Sequence, residues 1–425
     1  MARMSERWIF TTLGEAGGDH NFASFRYLAQ IDASLPPLAT GAVMPRAVVG
    51  SARAGSGIRS QGPPGHQEAR HGLDRRHRSY TPRQPASKMI VLRNCVVLPD
   101  QGTYLLFERA SVSSARTVFS PRVPPRRKLT MTLQAQNALI FNTTAAKHAT
   151  LAKEIDVARY AGFTGIETTA AKILSYLDAD HSVPDIKAAL NGLPIYGIGT
   201  LLNVERHGDD ARSLISDARA IFELAHHVGA GGVQVITGPL DYLEVVRFRE
   251  GKPKAGYRGV LEYREEERIE ITAGNLKMLA EVAQEFDLIV YLEALAWSPV
   301  NSLAHQVALL RKANQDNLKM VVDYWHCYAS GDHPEDVARI DGNLIYGVHV
   351  CDSLPLTGGV PNESVLRDIP TGEGVLDLKA WTDAVKATGY TGWWCSETFC
   401  RKLQQENSYA VASQMRAQLA SLISS

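Results

Sequence analysis

Four apolar runs in the second half of the chain end in a side chain that can bind a metal or transfer a proton. These side chains are Glu293, Asp323, His349 and Glu397. Three carboxylates that share one site with an imidazole repel each other, and their pKa values rise unless a cation lies among them. Oxygen-rich ligation with one nitrogen suits Mn²⁺, Mg²⁺ or Co²⁺ and also accommodates Zn²⁺. If the run ends meet, they predict a site for one divalent metal ion.

The alternative is that each of these residues caps its own strand through a local ion pair or hydrogen bond, because structural ion pairs also place charges at strand ends. Four such residues on successive runs favour the metal site. His326 follows Asp323 by three residues. One turn beyond the run its imidazole would face the same site and shuttle a proton there, whereas the structural alternative is a helix cap.

The elements that position these residues are apolar runs that alternate with amphipathic stretches. Continuous apolar runs are typical of a parallel sheet covered by helices on both faces. Eight such units over about 290 residues predict a (β/α)₈ TIM barrel, whose active site lies at the C-terminal ends of the strands. A doubly wound sheet is disfavoured, since no glycine-rich turn follows the first run. The eight runs are residues 138–141, 165–167, 194–200, 232–237, 288–295, 319–323, 345–350 and 392–397.

The first 130 residues differ from the rest. They hold 19 Lys and Arg against 8 Asp and Glu, a net charge of +11, although the 425-residue chain is neutral overall. Their Pro, Gly and Ser clusters show no helix or strand period, which is typical of disorder. We therefore predict that residues 1–130 are a disordered segment or a mis-assigned upstream extension, and that residues 131–425 form the barrel. Scarce lysine argues against a nucleic-acid-binding arm, and Glu6, Glu15 and Asp19 argue against a transit peptide.

Composition indicates the cellular setting. No run of 18 apolar residues and no secretory signal pattern occurs in the sequence, so we expect a cytoplasmic protein with no membrane partner. The five cysteines are an odd number with no metal-finger spacing, which favours reduced thiols.

Beyond these patterns, residues 137–423 resemble a known superfamily. It is the xylose isomerase-like TIM barrel group, also called the sugar phosphate isomerase/epimerase superfamily. The resemblance rests on Leu292-Glu293, Asp323 with His326, the Gly-Val-His-Val-Cys-Asp segment at 347–352, Pro-Thr-Gly-Glu-Gly at 370–374, and Ser396-Glu397.

The resemblance implies roles for individual residues. The metal ligands would be Glu293, Asp323, His349 and Glu397. Glu293 and Glu397 would double as the catalytic acid/base pair, and His326 would contact the substrate and assist catalysis. Arg367 resembles the family's substrate-binding arginine, although the four residues after it stretch the usual pattern.

Two more residues are predicted to bind substrate. Glu167 ends the Ala-Gly-Phe-Thr-Gly-Ile-Glu segment at 161–167, which matches the family's entry into the second strand, and it would line the pocket. Trp297 lies near a strand end, where indole faces often pack on sugar C–H surfaces. Packing in the barrel mouth is the alternative for Trp297.

This chemistry predicts a divalent-metal-dependent sugar isomerase or epimerase that acts on a ketose, an inosose or a related polyol. A metal that chelates a carbonyl and its neighbouring hydroxyl acidifies the C–H between them, so a carboxylate can remove the proton and leave a metal-bound enediolate. Returning the proton gives epimerisation or isomerisation. Expelling a β-hydroxyl gives dehydration, so a metal-dependent lyase, of the inosose dehydratase or keto-sugar deglycosidase type, is the alternative.

Two further functions are disfavoured. An apurinic-site endonuclease of this superfamily needs additional histidines that the second and third strands lack, and the net charge of −11 after residue 130 opposes a nucleic-acid partner. A non-catalytic sugar-binding protein would not require ionisable groups at four strand ends. We expect a small sugar or polyol as the partner. The insertion at residues 241–268 is either a lid or a contact within a homo-oligomer.

Overall fold

Nine parallel strands form one sheet in the computed structural model, which describes residues 136–253 and 257–425. Each strand pairs with the next one along the chain from β2 to β9, and β1 pairs with β9. Their bounds are Ala138–Leu139 (β1), Phe141–Asn142 (β2), Ile166–Thr169 (β3), Ile195–Leu201 (β4), Gly232–Ile236 (β5), Ile289–Glu293 (β6), Leu318–Asp323 (β7), Ile345–Val350 (β8) and Trp393–Ser396 (β9).

The first barrel strand is split into β1 and β2 on either side of Ile140. Through β1 it pairs with the last strand, and through β2 it pairs with the second. This closes the sheet into a ring of eight strand positions, each of which overlaps one of the eight predicted runs. The predicted TIM barrel is therefore confirmed.

Helices alternate with these strands and cover the outside of the barrel. The amphipathic stretch at residues 214–225 lies in one of them, and its apolar face is buried as its 3.6-residue period predicts. The helices are Leu151–Ala161 (α1), Ala170–Asp178 (α2), Val183–Leu190 (α3), Ala211–Val228 (α4), Tyr242–Arg249 (α5), Glu265–Gln284 (α6), Leu303–Ala313 (α7), Tyr324–Ser330 (α8), Pro334–Val337 (α9), Glu363–Leu366 (α10), Leu378–Ala387 (α11), Arg401–Gln404 (α12) and Ser408–Ser424 (α13), with 3₁₀ turns at Thr143–Ala146 and Gly342–Leu344.

Aromatic side chains fill the interior of the barrel. Tyr196, Tyr291, Tyr346 and Trp393 belong to one buried cluster there. A Cβ atom on Gly347 would lie 2.0 Å from the Trp393 ring, so this indole fits only because β8 carries glycine at that position. The aromatic cluster gives the barrel a rigid floor, and the strand ends lie above it.

Side-chain alternation places the functional residues directly over that floor. Residues two apart in a strand point to the same face of the sheet. Tyr291 precedes Glu293 by two residues, as Gly347 precedes His349. In register, His349 lies beside Asp323 of β7 and Cys395 of β9. The same alternation that builds the floor therefore turns these polar side chains into the barrel mouth.

The predictions for residues 1–130 lie outside the described part of the chain. Among the described residues, no helix combines the length and apolar character needed to cross a membrane. The four cysteines in this part, Cys327, Cys351, Cys395 and Cys400, are buried free thiols, as predicted.

Candidate metal centre and active site

The four predicted metal ligands come together at the barrel mouth. Each of Glu293, Asp323, His349 and Glu397 offers one ligand atom, and these atoms all lie within 4.8 Å of one another. His349 Nδ1 lies 3.1 Å from Glu293 Oε1, 3.4 Å from Glu397 Oε2 and 3.7 Å from Asp323 Oδ2. All four side chains are buried. The arrangement forms one compact cluster rather than four separate strand caps.

The donor set fits a divalent ion. When metal–ligand bonds are about 2.1 Å long, two ligand atoms of one ion lie no more than about 4.2 Å apart. The three distances from His349 Nδ1 satisfy this limit. Three carboxylate oxygens and one imidazole nitrogen are ligands for Mn²⁺, Mg²⁺, Co²⁺ or Zn²⁺.

The electrostatics of the cluster also indicate a need for positive charge. Burial and the neighbouring charge of Glu397 raise the pKa of Glu293 to about 8. Burial alone would raise the pKa of Asp323 and of Glu397 as well. At Asp323 the charge of Arg367 is the largest of the influences that together outweigh burial, and at Glu397 the charges of His349 and then Arg367 are the largest. Both pKa values therefore fall below their ordinary range. Positive side chains thus compensate the charges of Asp323 and Glu397, and a divalent cation would allow Glu293 to ionise as well.

Arg367 holds two of the candidate ligands in place. Its Nη2 donates to Glu397 Oε2 at 2.8 Å and to Asp323 Oδ2 at 3.2 Å. Its Nη1 donates to Glu363 Oε1 at 3.0 Å, and its side chain is only 2% exposed. The predicted contact of Arg367 with substrate stays a prediction, because this guanidinium is directed at carboxylates of its own chain.

His326 lies beside the cluster at the start of α8. Its backbone N–H donates to Asp323 Oδ1 at 2.7 Å, so Asp323 caps the helix that carries this histidine. The backbone N–H of Ala296 donates to His326 Nδ1 at 3.0 Å. Since Nδ1 accepts a hydrogen bond, the proton of the neutral ring is on Nε2. Nε2 lies 3.8 Å from Glu363 Oε1, so its N–H faces the rim of the mouth.

We expect His326 to remain a neutral Nε2–H tautomer at pH 6. Burial lowers its pKa to about 4, below the ordinary value of 6.5, so protonation requires a more acidic medium. Long-range ¹H–¹⁵N correlation spectra of histidine-labelled protein report the tautomer and its titration, and a His326→Gln variant assigns the signal. A ring that is doubly protonated at pH 6 would contradict this geometry.

Glu167 contacts the Nε2 side of the His349 imidazole, whereas the other three candidate ligands lie near Nδ1. Its Oε2 is 2.9 Å from His349 Nε2 and accepts from Asn142 Nδ2 at 2.8 Å. The Tyr291 hydroxyl donates to Oε1 at 2.5 Å. With both oxygens engaged and the residue 4% exposed, Glu167 is oriented toward His349. Its predicted substrate contact stays untested, and the geometry favours a different role.

Trp297 lies at the edge of the site. Its Nε1 donates to the Pro239 carbonyl oxygen at 2.9 Å, and the residue is 5% exposed. The ring packs against Trp325 and His326, with centroids 6.3 and 5.9 Å away. These contacts correspond to the alternative of barrel-mouth packing, and substrate binding by this indole stays a prediction.

Sequence reasoning missed several polar residues of this region. Glu363 precedes Arg367 by one helical turn, an i,i+4 spacing that could have identified the pair. Asn142 ends β2 and is therefore a polar residue at a strand end like the predicted ligands. Gln234 points from β5 and donates to Glu293 Oε2 at 3.0 Å, but no pattern in the sequence distinguishes it.

The insertion at residues 241–268 contacts other loops of the mouth. Asn362 Nδ2 donates to the Tyr242 hydroxyl at 2.8 Å, which joins α5 to the loop that carries Glu363. The Tyr257 hydroxyl donates to Glu205 Oε1 at 2.6 Å, which joins the insertion to the loop after β4. Both contacts suit a cover over the mouth, and the lid and oligomer roles remain predictions.

Comparison with known proteins agrees with this fold. The chain is 27% identical over 252 residues to the 3-dehydroshikimate dehydratase of Pseudomonas aeruginosa, covering 59% of this chain and 36% of that protein. It therefore spans about a third of that relative's length. It is 23% identical over 266 residues to the inosose isomerase of Bacillus velezensis, covering 59% of this chain and 85% of the isomerase. Both relatives are enzymes.

A solved structure shares the fold. The IOLI protein with a bound zinc atom superposes with a TM-score of 0.59 at 19% identity, covering 68% of this chain and 98% of that one. The family model described as "Xylose isomerase-like TIM barrel" matches residues 155–420, which contain all four candidate ligands. The chain therefore belongs to the xylose isomerase-like TIM barrel family.

Proposed function

We propose that this protein is a divalent-metal-dependent sugar isomerase or epimerase that acts on a ketose, an inosose or a related polyol. The observation that carries the proposal is the cluster of Glu293, Asp323, His349 and Glu397, whose ligand atoms lie within 4.8 Å of one another. The inosose isomerase relative supports the reaction class and the neutral polyol substrate.

A divalent ion held by these four residues would polarise a substrate carbonyl and acidify the neighbouring C–H. The residues of the chain would then move the proton. Glu293 is oriented by Gln234 Nε2, which donates to its Oε2. Glu397 is oriented by Arg367. Two carboxylates fixed in this way would remove the proton and return it as an acid/base pair.

His326 would orient the substrate beside this pair. Its tautomer is fixed by Ala296, so its Nε2–H is a permanent donor toward a substrate oxygen. The burial of Glu293, Asp323 and Glu397 keeps bulk water away from the reacting groups, which strengthens their electrostatic interactions.

A lyase is the second candidate, favoured by the relationship to a 3-dehydroshikimate dehydratase. Removal of the same proton, followed by departure of a β-hydroxyl as water, would give dehydration. The two reaction classes differ in whether the proton is returned to carbon or transferred to a departing hydroxyl.

Solvent deuterium tests the proposal. Inosose, several ketoses and 3-dehydroshikimate are incubated in D₂O with the protein and Mn²⁺, Co²⁺ or Mg²⁺, and NMR follows the carbon-bound deuterium and the products. We expect carbon-bound deuterium in a ketone substrate that is recovered without loss of water. We expect no deuterium after chelator treatment. If every ketone is recovered free of deuterium after incubation with metal-loaded protein, the proposal is refuted. An unsaturated product would favour the lyase.

We propose further that Glu167 positions His349 as a metal ligand. A carboxylate that accepts from Nε2–H leaves the Nδ1 lone pair free for a metal and raises its basicity. Asn142 and Tyr291 fix the two oxygens of Glu167 in turn.

Glu167→Gln is therefore expected to weaken Co²⁺ or Zn²⁺ affinity about 10- to 100-fold, measured by calorimetry. Tyr291→Phe removes one hydrogen bond to Glu167 but keeps its charge, so a smaller loss is expected there. Wild-type metal affinity in Glu167→Gln would assign Glu167 a role other than positioning His349.

A further inference from the structure

Glu363 is the most exposed carboxylate of the candidate site. Its side chain is 25% exposed, against 8% for Glu293, 1% for Asp323 and 10% for Glu397. It lies on α10, in the loop between β8 and α11, and it contacts Arg367 Nη1 and faces His326 Nε2. A molecule that enters the mouth toward the cluster therefore meets Glu363, with the largely buried His326 imidazole 3.8 Å from it.

Arg367 offers little to an incoming anion. Both of its terminal nitrogens donate to carboxylates of the chain, and its Nε is buried with no partner among the described residues. Its guanidinium carbon lies 4.4 Å from the Phe399 ring centroid and 5.4 Å from that of Trp325. Aromatic rings and acidic groups thus surround the charge that a substrate carboxylate would need.

We infer that Glu363 is a specificity-determining residue that selects a neutral polyhydroxylated ketone over a ketone that carries a carboxylate. Its carboxyl accepts a hydrogen bond from a substrate hydroxyl, and the adjacent His326 Nε2–H donates to a substrate oxygen. A carboxylate at the same place would face Glu363 and find Arg367 already engaged, and like-charge juxtaposition is strongly unfavourable. The inference rests on the proposed function and names its substrate class.

Two ring ketones provide a matched test, because inosose is neutral and 3-dehydroshikimate carries a carboxylate. With metal-loaded protein at about pH 8, we expect kcat/KM for deuterium exchange or turnover to favour inosose by about 100-fold. Glu363→Gln keeps the size of the side chain and removes its charge, so the preference is expected to fall about 10-fold. Glu373→Gln, an exposed glutamate of the same loop, is the control and should keep the wild-type preference.

Binding of unreactive analogues provides a readout independent of turnover. Calorimetry with myo-inositol and with shikimate measures the same neutral-to-anionic preference in wild type, Glu363→Gln and Glu373→Gln. A preference for the anion, or a neutral-to-anionic binding ratio unchanged in Glu363→Gln, would overturn the inference. If deuterium exchange is still observed, the proposed function stands. Absence of exchange in inosose, in the ketoses and in 3-dehydroshikimate alike would reject the proposed function, and the binding ratio would still decide the role of Glu363.

Discussion

Glu397→Gln is expected to remove tight binding of one divalent ion and to lower kcat/KM about 10³- to 10⁴-fold. The variant replaces a charged candidate ligand that lies 3.4 Å from His349 Nδ1 and 2.8 Å from Arg367 Nη2. Loss of the carboxylate would remove a proposed metal ligand and one half of the proposed acid/base pair, and general acid/base groups alone contribute about 10²- to 10⁴-fold. Metal content of the purified protein and deuterium exchange into the substrate measure the two losses separately.

Glu406→Gln is the matched control for this variant. Glu406 is an exposed glutamate that follows β9 in the chain, outside the cluster, and we expect wild-type metal content and turnover after its replacement. If Glu397→Gln retained one tightly bound ion and full turnover, Glu397 would have to be removed from the ligand set. Glu293→Gln should behave like Glu397→Gln, because both residues are proposed to serve as metal ligand and as proton carrier.

Arg367→Met is expected to destabilise the metal-free protein by about 3 to 5 kcal/mol. The guanidinium is 2% exposed and pairs with Asp323, Glu397 and Glu363. Methionine fills much of the same volume but leaves these buried carboxylates without their cation, and the loss of one partner of a buried ion pair typically costs this much. Urea unfolding in the presence of a chelator measures the free energy of unfolding.

A divalent ion should restore part of this lost stability. A bound metal would supply positive charge to the same carboxylates, so saturating Mn²⁺ or Co²⁺ is expected to stabilise Arg367→Met, as binding to the folded state does in general. Arg401→Met is the control, because the Arg401–Asp368 pair is at the surface, where an ion pair contributes about 1 kcal/mol or less. Equal metal-free stability of wild type and Arg367→Met would show that Arg367 does not hold the cluster together.

The eight strands could be predicted from the sequence because burial on both faces requires continuous apolar runs. The candidate ligands Glu293, Asp323 and His349 could be predicted for a related reason. A polar residue is tolerated in such a run mainly where the strand leaves the sheet, and barrel topology brings the C-terminal strand ends together. Local pattern and barrel topology together were sufficient to predict that these residues meet at the barrel mouth.

The roles of Glu167 and Arg367 could not be predicted in the same way. Glu167 reaches His349 across 182 positions of the chain, and Tyr291 reaches Glu167 across 124. No local period encodes contacts between strands that are so distant in sequence. The substrate contacts expected of both residues stay predictions, and the structure directs their side chains at candidate metal ligands.

The sequence by itself determined the barrel and the four polar strand ends, since hydrophobic periodicity and residue type are local properties of the chain. Only the tertiary structure decided that His349 turns Nδ1 toward the carboxylates and Nε2 toward Glu167. It also decided that Arg367 is committed to Asp323 and Glu397, which leaves Glu363 at the rim. The direction of an imidazole or a guanidinium depends on which partners the closed barrel places around it, and those partners come from separate strands and loops.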